Sequence, residues 1–587
     1  MDPIKVDFTG KGSSRKKEIV IPPERAALKV IISIVGTIAL AGLYYYLMLP
    51  PLNPKAIEFY MYIGAIFATY IALTMMTTKA MAKPEYIPYV KRQSIVPGVV
   101  IGILALVVVV GFIISSVFFR AHSYSKLIPV NTEGVFTQDI EKQNAESYSN
   151  IPRLDEAAAA NLATKALSNL NDVGKVSQFT VYPMYTQINY KGVPVRVSTL
   201  QYANIIKWFT NRSEGLPGYT IIDMANQTTK FVELKDGMKY SPAEHFGRLL
   251  KRQLRFQYPT YLFAEANFQI KDDGTPIWLT ARLDKTIGLF GGTTAIGAVL
   301  TNPINGTSEY YTLDQLRHDP KLQWIDRVFS SDLLIQQFNY FGKYSGGFWN
   351  SILGQKDVRI TTDGFNYIAK DDDVFLYTGV TSITSDQSII GFILINMRTQ
   401  DATIYKVTGT TEQAAMLAAE GKVKAYAFAA SFPLLINVSN QPTYFMALKD
   451  SNEVNQKFAM VNVQQFNKIF VVGDSLADCL SQYLVALKNA GIKTDINISD
   501  LDSGTDNNNP TDVKTKTVSG VIESIRTAVI GGESYYYIKL VGVDAYYSIS
   551  ASKAEEIIIA NTGDKITAVI PVTTGKIVPA DSIKIVK

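Results

Sequence analysis

Three stretches within the first 120 residues are apolar all round, whereas the sequence beyond them mixes apolar and polar positions as water-exposed folded protein does. The strongest, residues 96–119 (VPGVVIGILALVVVVGFIISSVFF), contains no charged side chain and is stopped by Arg120. At about 1.5 Å rise per residue, roughly 20 such residues cross the hydrocarbon core of a bilayer. The polar stripe of a soluble core helix is missing. Residues 29–49 (KVIISIVGTIALAGLYYYLML) and 57–77 (IEFYMYIGAIFATYIALTMMT) behave alike. The pattern predicts three membrane-spanning helices, the first two forming a hairpin across the short PPLNPKA turn. Tyr44 to Tyr46 fall where an interfacial aromatic belt belongs. The first stretch is too long for a cleaved signal peptide. Only Glu58, near a helix end, interrupts the spans, so they read as an anchor or docking surface and not a conduction path.

Past a polar, extended stretch (121–150), LDEAAAANLATKALSNL at 154–170 has apolar positions at three-to-four spacing and acids at its start, which predicts a helix. Four later segments then align: GYTIIDMANQTTKFVEL from Gly218, GAVLTNPINGTSEYYTL from Gly297, GFILINMRTQDATIYKV from Gly391 and KFAMVNVQQFNKIFVV from Lys457. Each reads as strand, polar turn, strand. Asp223, Asn302, Asn396 and Asn462 share one column, where an Asx side chain caps the turn. A strand precedes each hairpin, at 191–197, 273–283, 371–380 and 441–450. Helix starts follow at Ser241-Pro242-Ala243-Glu244 (a capping box with proline first), at Thr410 with Gln413, and at Ser475 with Asp478. Gly421 and Gly491 suit helix ends, and a longer helical region covers roughly 313–340.

The unit is a strand, a hairpin and a helix on one sheet face, α+β in class. Over about 181–491 this recurrence resembles PepSY-type repeats, small antiparallel sheets with a covering helix found in extracytoplasmic proteins. The resemblance implies a binding or inhibitory role more than a catalytic one. Residues 501–514 (LDSGTDNNNPTDVK) read as a solvated linker; the acids there lack EF-hand spacing. From Thr517, five strands with a helix after the third resemble an OB-fold barrel. Tyr535, Tyr537 and Tyr546, with Tyr536 and Tyr547, sit on its second and third strands. They would form a ligand face by stacking, or alternate ones would fill the core of a small barrel.

Charge sets the orientation. Lys5, Lys11, Arg15, Lys16, Lys17, Arg25 and Lys29 precede the first span, only Lys55 lies in the first loop, and Lys79, Lys83, Lys91 and Arg92 lie in the second. The positive-inside rule then makes the tail and second loop cytoplasmic and delivers residues from about 121 to the outer face. The expected organisation is a cytoplasmic basic tail (1–28), three transmembrane helices (29–120), an extended stretch and helix (121–180), an extracytoplasmic α+β repeat domain (181–500), a linker (501–514) and an OB-like β-barrel (515–587).

The chain has 587 residues and a formal net charge of only +5, which gives no bulk attraction for nucleic acid. One cysteine, Cys479, excludes intramolecular disulfides and Cys-based zinc cages, and three histidines leave little for a His-rich metal site. Cys479 lies on an apolar stripe with Leu476, Leu480 and Tyr483 and reads as a core thiol. A helix over 242–257 would align His245, Arg248, Lys251, Arg252 and Arg255 on one side. That face would be a plain solvated surface or would meet an anionic envelope polymer, lipid headgroups or an acidic partner. Ile287-Gly288-Leu289-Phe290-Gly291-Gly292 lacks the strand-to-helix context of a phosphate loop and reads as a hairpin turn. Tyr340, Tyr344, Phe348 and Trp349 form an aromatic cluster suited to sugar stacking or to packing a long loop. Five N-x-S/T sequons (Asn211, Asn226, Asn305, Asn437 and Asn497) matter only in a glycosylating host. No nucleophile, zinc-protease or acyl-enzyme motif appears in context.

The expectation is an integral membrane protein of the prokaryotic cell envelope with a large, non-catalytic outer domain that binds, scaffolds or inhibits. It needs no cofactor, and its partners are the lipid bilayer and a protein of the membrane or envelope, not nucleic acid. An envelope hydrolase, or a subunit of a membrane secretion or assembly complex, is the alternative. Small residues such as Gly36, Gly42, Gly64 and Ala68 would serve the last as helix-packing faces.

Overall fold

A computed structural model describes residues 20–143, 148, 151–168, 177–383, 388–496, 515–530, 533–551, 554–571, 576–580 and 582–586. Most of the basic tail, the 501–514 linker, the Gly531-Gly532 turn and the Asn497 sequon lie outside the described residues. The chain forms two compact units, Met1–Lys422 with Phe428–Leu501, and Val423–Ala427 with Asp502–Lys587.

The first unit opens with three helices long and apolar enough to cross a membrane: α1 (Ala26–Met48), α2 (Ile57–Thr78) and α3 (Ile87–Ser115). The first two match their expected bounds closely. The third starts well before Val96 and carries Lys91 and Arg92, because backbone bonding continues through a charged turn and Pro88 suits a helix start. It also ends sooner. Ser116 is extended (ψ 148°) and Val117–Tyr124 forms a separate helix, α4, in which Arg120 is itself non-helical. Ser115 Oγ donates to Gly111 O at 2.6 Å, a bond back into the preceding turn that weakens helix continuation. The break therefore lies at Ser115-Ser116, and Arg120 is not what stops the span. Between α1 and α2, Ser33 Oγ meets Thr77 Oγ1 at 3.1 Å and Tyr44 stacks on Tyr62 at 5.5 Å.

After α4 come β1 (Val130–Gly134), a single-turn helix α5 (Phe136–Asp139) and α6 (Glu156–Ser168). Four antiparallel-built sheets follow. The first holds β2 (Phe179–Val181), β3 (Thr186–Tyr190), β4 (Val193–Tyr202), β5 (Leu216–Asp223) and β6 (Thr228–Met238), with α7 (Ile205–Asn211) between β4 and β5. The second, after α8 (Leu250–Gln257), holds β7 (Leu262–Ile270), β8 (Pro276–Ile287), β9 (Gly291–Thr301) and β10 (Ser308–Thr312). Helices α9 (Leu313–His318) and α10 (Ser331–Tyr344) precede the third, which holds β11 (Arg359–Thr361), β12 (Asn366–Lys370), β13 (Asp373–Ser382), β15 (Gly391–Asn396) and β16 (Ala402–Tyr405), with β1 added in parallel at its edge. A small pair, β14 (Ser388–Ile389) with β17 (Gly409–Thr410), flanks it. The fourth, after α11 (Glu412–Lys422), holds β18 (Ala429–Ala430), β19 (Leu434–Val438), β20 (Gln441–Lys449), β21 (Asn455–Asn462) and β22 (Phe470–Gly473), and α12 (Leu476–Asn489) closes it.

All four expected hairpins form, and the shared Asx column is their hinge. Asp223 Oδ1 accepts from Ala225 and Asn226 N, Asn302 Oδ1 from Ile304 N, Asn396 Oδ1 from Arg398 and Thr399 N, and Asn462 Oδ1 from Gln464 and Gln465 N, all within 2.8–3.1 Å. Each side chain satisfies amides that a tight turn would otherwise leave unpaired. The second sheet is covered on both faces, which explains the near-continuous apolar run of β8. Ile277, Leu279 and Ala281 join α10 and the third sheet in one core, while Trp278 faces Tyr219, Leu250 and Leu254 in another.

Helix ends depart from expectation in places. Residues 241–249 are not α-helical: Ser241 bridges Leu249, Phe246–Arg248 make only a short 3-10 turn, and the α-helix begins at Leu250. The cap of α11 is Thr411, one residue after Thr410, and Gly421 lies inside that helix. Ser475 does cap α12 through Asp478 N, and Gly491 at φ +79° follows its end. Asp319-Pro320 splits the 313–340 region in two.

In the second unit, β23 (Thr515–Ile530), β24 (Glu533–Leu540), β25 (Tyr546–Ser550), β26 (Lys565–Pro571), β27 (Ile577–Pro579) and β28 (Ser582–Val586) run in the order β27-β25-β24-β23-β26-β28. The long β23 pairs β26 with its first half and β24 with its second. Among the described residues this order is open, so the expected closed OB-like barrel is not found. The expected helix is a short 3-10 turn, Glu555–Ile559.

Candidate functional site

The most constructed feature of the first unit is the collar where the folded region grips the adjoining ends of the three apolar helices. Helix α1 ends with carbonyls that have no intrahelical partner and a negative dipole end. Two arginines from α8 meet them. Arg252 Nε donates to Tyr46 O at 3.1 Å, its Nη1 to Phe246 O at 2.5 Å, and its guanidinium lies 4.1 Å above the Tyr46 ring. Arg255 Nε donates to Leu49 O at 3.0 Å and its Nη1 to Tyr261 O at 2.6 Å, with longer bonds to Tyr258 and Pro259 O. Both side chains are buried, and burial lowers the Arg255 pKa. Beside them Phe256 packs edge-on to Tyr45 at 5.7 Å, and Leu52 N donates to Pro259 O at 2.8 Å.

The expected basic face is thus divided. Arg252 and Arg255 are spent on α1. His245 is half-buried against Trp208 at 5.3 Å, Arg248 donates to Arg212 O, and Lys251 is exposed. Glu244 is not a capping residue: its carboxylate is buried, accepts from Trp208 Nε1 at 2.5 Å, and has its pKa raised by burial.

The glycine cluster is a hairpin turn, as its sequence suggests, and its tip is the second grip. Ser115 Oγ, at the last turn of α3, accepts from Leu289 N at 2.8 Å and Phe290 N at 3.0 Å. Gly288 takes φ +61°, and a Cβ there would lie 2.5 Å from Ser115 Oγ. Phe290 is buried between Tyr60 (5.7 Å) and Phe112 (5.2 Å), over Gly111, whose missing side chain leaves it room. Tyr124 OH donates to Ser115 O at 2.6 Å. Lys55, in the α1–α2 turn, pairs with Asp284 at 2.8 Å and donates to Lys285 O at 2.7 Å. The aromatic cluster joins the same end of α3: Tyr124 meets Tyr340 at 4.7 Å, and Phe118 meets Phe348 at 5.0 Å and Trp349 at 5.9 Å. Sequence reasoning missed Ser115, Tyr124 and Phe290 as a set, because their partners lie far along the chain.

Away from the collar, a cavity of about 280 Å³ is lined by Arg153, Asp155, Glu156, Arg196 and Tyr367 among others. Arg196 is buried, bonds Glu156 at 3.5 Å and has its pKa lowered by burial, while Lys449 holds Asp155 and Glu453. Charges of both signs alternate there, so the wall is a structural ion network and not an anion cradle. Asp326 is buried, accepts from Asn189 N at 2.8 Å, and burial drives its pKa upward. Among the described residues no group of three or more His, Cys, Asp or Glu is arranged to hold a metal ion. Cys479 is fully buried, and burial raises its thiol pKa.

In the second unit Tyr547 and Ile538 enter the core and Tyr536 packs against it, whereas Tyr535, Tyr537 and Tyr546 are half-buried on the opposite face. Arg526 lies 5.4 Å from the Tyr546 ring. No family model matches the chain, and no curated protein matches it.

Proposed function

We propose that the chain is an integral membrane protein of a prokaryotic cell envelope, with a cytoplasmic N-terminus and a folded region outside that serves as a non-catalytic binding, scaffold or inhibitory component. The collar carries this reading. Buried guanidiniums, a packed aromatic tip and a serine–amide clasp tie the spans to the folded region as one body. A platform held at fixed height above a membrane requires such a joint; a tethered enzyme does not. The fourfold pattern that resembles PepSY modules supports a binding or inhibitory role, and the Tyr535, Tyr537 and Tyr546 face is the proposed ligand surface of the C-terminal module. The orientation is tested by a Cys479→Ser background with Leu417→Cys, an exposed position, labelled by an impermeant maleimide. Labelling in intact cells is expected, and labelling only after permeabilisation sinks the outward orientation.

One observation favours the second reading, a subunit of a membrane assembly. A Cβ at Gly42, Gly64, Gly98 or Gly102 would meet nothing within 4 Å, so the spans present open small-residue faces for other helices. Photo-crosslinkers placed at Gly98 and on the folded region separate the two readings. A partner captured from Gly98 supports an assembly subunit, and one captured only from the folded region supports the platform.

A further inference from the structure

Outside the spans, large apolar side chains are exposed in two places that touch span ends. The segment Gly346–Gly354 (GGFWNSILG), whose end Asn350–Gly354 is a short π-helical turn, has no charged side chain and exposes Trp349 (62%), Ile352 (50%) and Leu353 (75%). Phe348 and Trp349 rest on Phe118, which with Phe119 is exposed just beyond the end of α3. The second patch is Ile205, Ile206, Phe209 and Phe246, of which Ile206 is 70% exposed. Its link to α1 runs through one side chain: Phe246 O accepts from Arg252, which also donates to Tyr46 O. Lys207, Arg212 and Arg248 surround this patch, and Arg212 lies over the Trp208 and Phe209 rings.

We infer that these two patches are feet that seat the folded region in the headgroup layer of the bilayer its helices cross. The inference rests on the membrane location of α1–α3. The Trp349 patch adjoins the end of α3 through Phe118, and the Phe209 patch lies one side chain, Arg252, from the end of α1, so both sit at the ends where a bilayer must stop. Their chemistry fits that depth. Tryptophan, phenylalanine and leucine are favoured at the membrane–water interface, and an apolar patch ringed by basic residues suits anionic headgroups. The Trp349 foot enters by apolar insertion alone. The Phe209 foot adds charge attraction, so only its seating responds to lipid charge.

Tryptophan fluorescence tests this on the full chain in nanodiscs. Of the four tryptophans, Trp208 and Trp278 are buried, Trp324 is half-buried and Trp349 is exposed. Lipids brominated near the headgroup should quench the wild type, and most of that quenching should be lost in Trp349→Phe. Aqueous iodide should leave the Trp349 signal largely untouched. In the Trp349→Phe background, Phe209→Trp should gain lipid quenching when phosphatidylglycerol is added to phosphatidylcholine and lose it at high salt. Trp349 emission quenched by iodide and not by brominated lipid would overturn the inference. Leu106→Trp, on the exposed middle of α3, separates the two layers of argument. If it is quenched by deep-brominated lipid while Trp349 is not, the feet fail and the spans stand; if neither is quenched, the membrane reading itself falls.

Discussion

Where α1 meets the folded region its last carbonyls face two guanidiniums, and where α3 meets it the last turn faces an uncharged hairpin tip. The two joints solve one problem by different means. At α1 the difficulty is unpaired backbone acceptors in a buried place, and Arg252 and Arg255 supply donors that also suit the negative helix end. At α3 the chain has broken at Ser115-Ser116, and the vacant space over Gly111 is filled by Phe290 while Ser115 pairs the amides behind it. One joint is held by guanidinium bonds to carbonyl oxygens, the other by a packed ring backed by two amide bonds to Ser115 Oγ. They should fail differently.

Removing the buried ring at the α3 joint should do the greatest harm. Phe290→Ala is expected to cost about 3–5 kcal/mol, the range for emptying a buried aromatic site. In nanodiscs the thermal transition should fall by many degrees, and protease should open β8–β9 first. Arg255→Met keeps the bulk but strips donors from Leu49 O and Tyr261 O. At roughly 1–3 kcal/mol per buried acceptor left unsatisfied, the two lost partners put the loss at about 2–6 kcal/mol, a range that overlaps that of Phe290→Ala. Arg255→Lys should recover little, since one ammonium cannot span the same carbonyls. If Arg255→Met is silent, the guanidinium joint is ornamental.

The two joints were also unequally legible in the sequence. Apolar runs located α1 and α2 almost to the residue, and the Asp223, Asn302, Asn396 and Asn462 column located four turns, because both are signals in neighbouring residues. The glycine cluster gave its own turn for the same reason. Its docking partner Ser115 is far away in sequence and left no local trace. Helical spacing grouped Arg252 and Arg255 with Lys251 as one basic side, yet their carbonyl partners in α1 bury the first two. Ser241 to Glu244 carries a capping-box pattern, but Trp208 takes the Glu244 carboxylate and the helix starts later. In each miss a distant partner outweighed the local preference.

Close packing at the α3 joint gives a second, smaller contrast. A Cβ at Gly291 would run into Tyr124 OH and come within 2.9 Å of Ser115 O. Gly291→Ala should therefore cost about 1–3 kcal/mol by overpacking, while Gly42→Ala, with open space around it, should change nothing measurable. Equal stabilities for the two would mean the tip is not seated on α3.

Near the α1 joint, pH offers a gentler probe. Burial raises the Glu244 pKa above its ordinary value of 4.5, so the folded state holds this proton more tightly than the unfolded state. Stability contributed this way is full below the unfolded value, declines as pH rises towards the folded one, and is flat above it. Glu244→Gln removes the titration and should flatten that decline in melts scanned upward from pH 4. A slope unchanged by the substitution would assign it to another group.

Lys55 and Asp284 should matter least. Their side chains remain about a third exposed, 38% and 30%, and such pairs contribute at most about 1 kcal/mol. Their value lies in the salt response. Screening shortens to about 3 Å at 1 M salt, so the small loss in Lys55→Met should shrink further as salt rises. The loss in Arg255→Met should not, because its partners are buried, neutral carbonyls. Parallel salt titrations of the two variants therefore separate a Coulombic contact from a hydrogen-bonded joint on the same collar. Matching salt dependence would show that the Arg255 joint also acts mainly through charge.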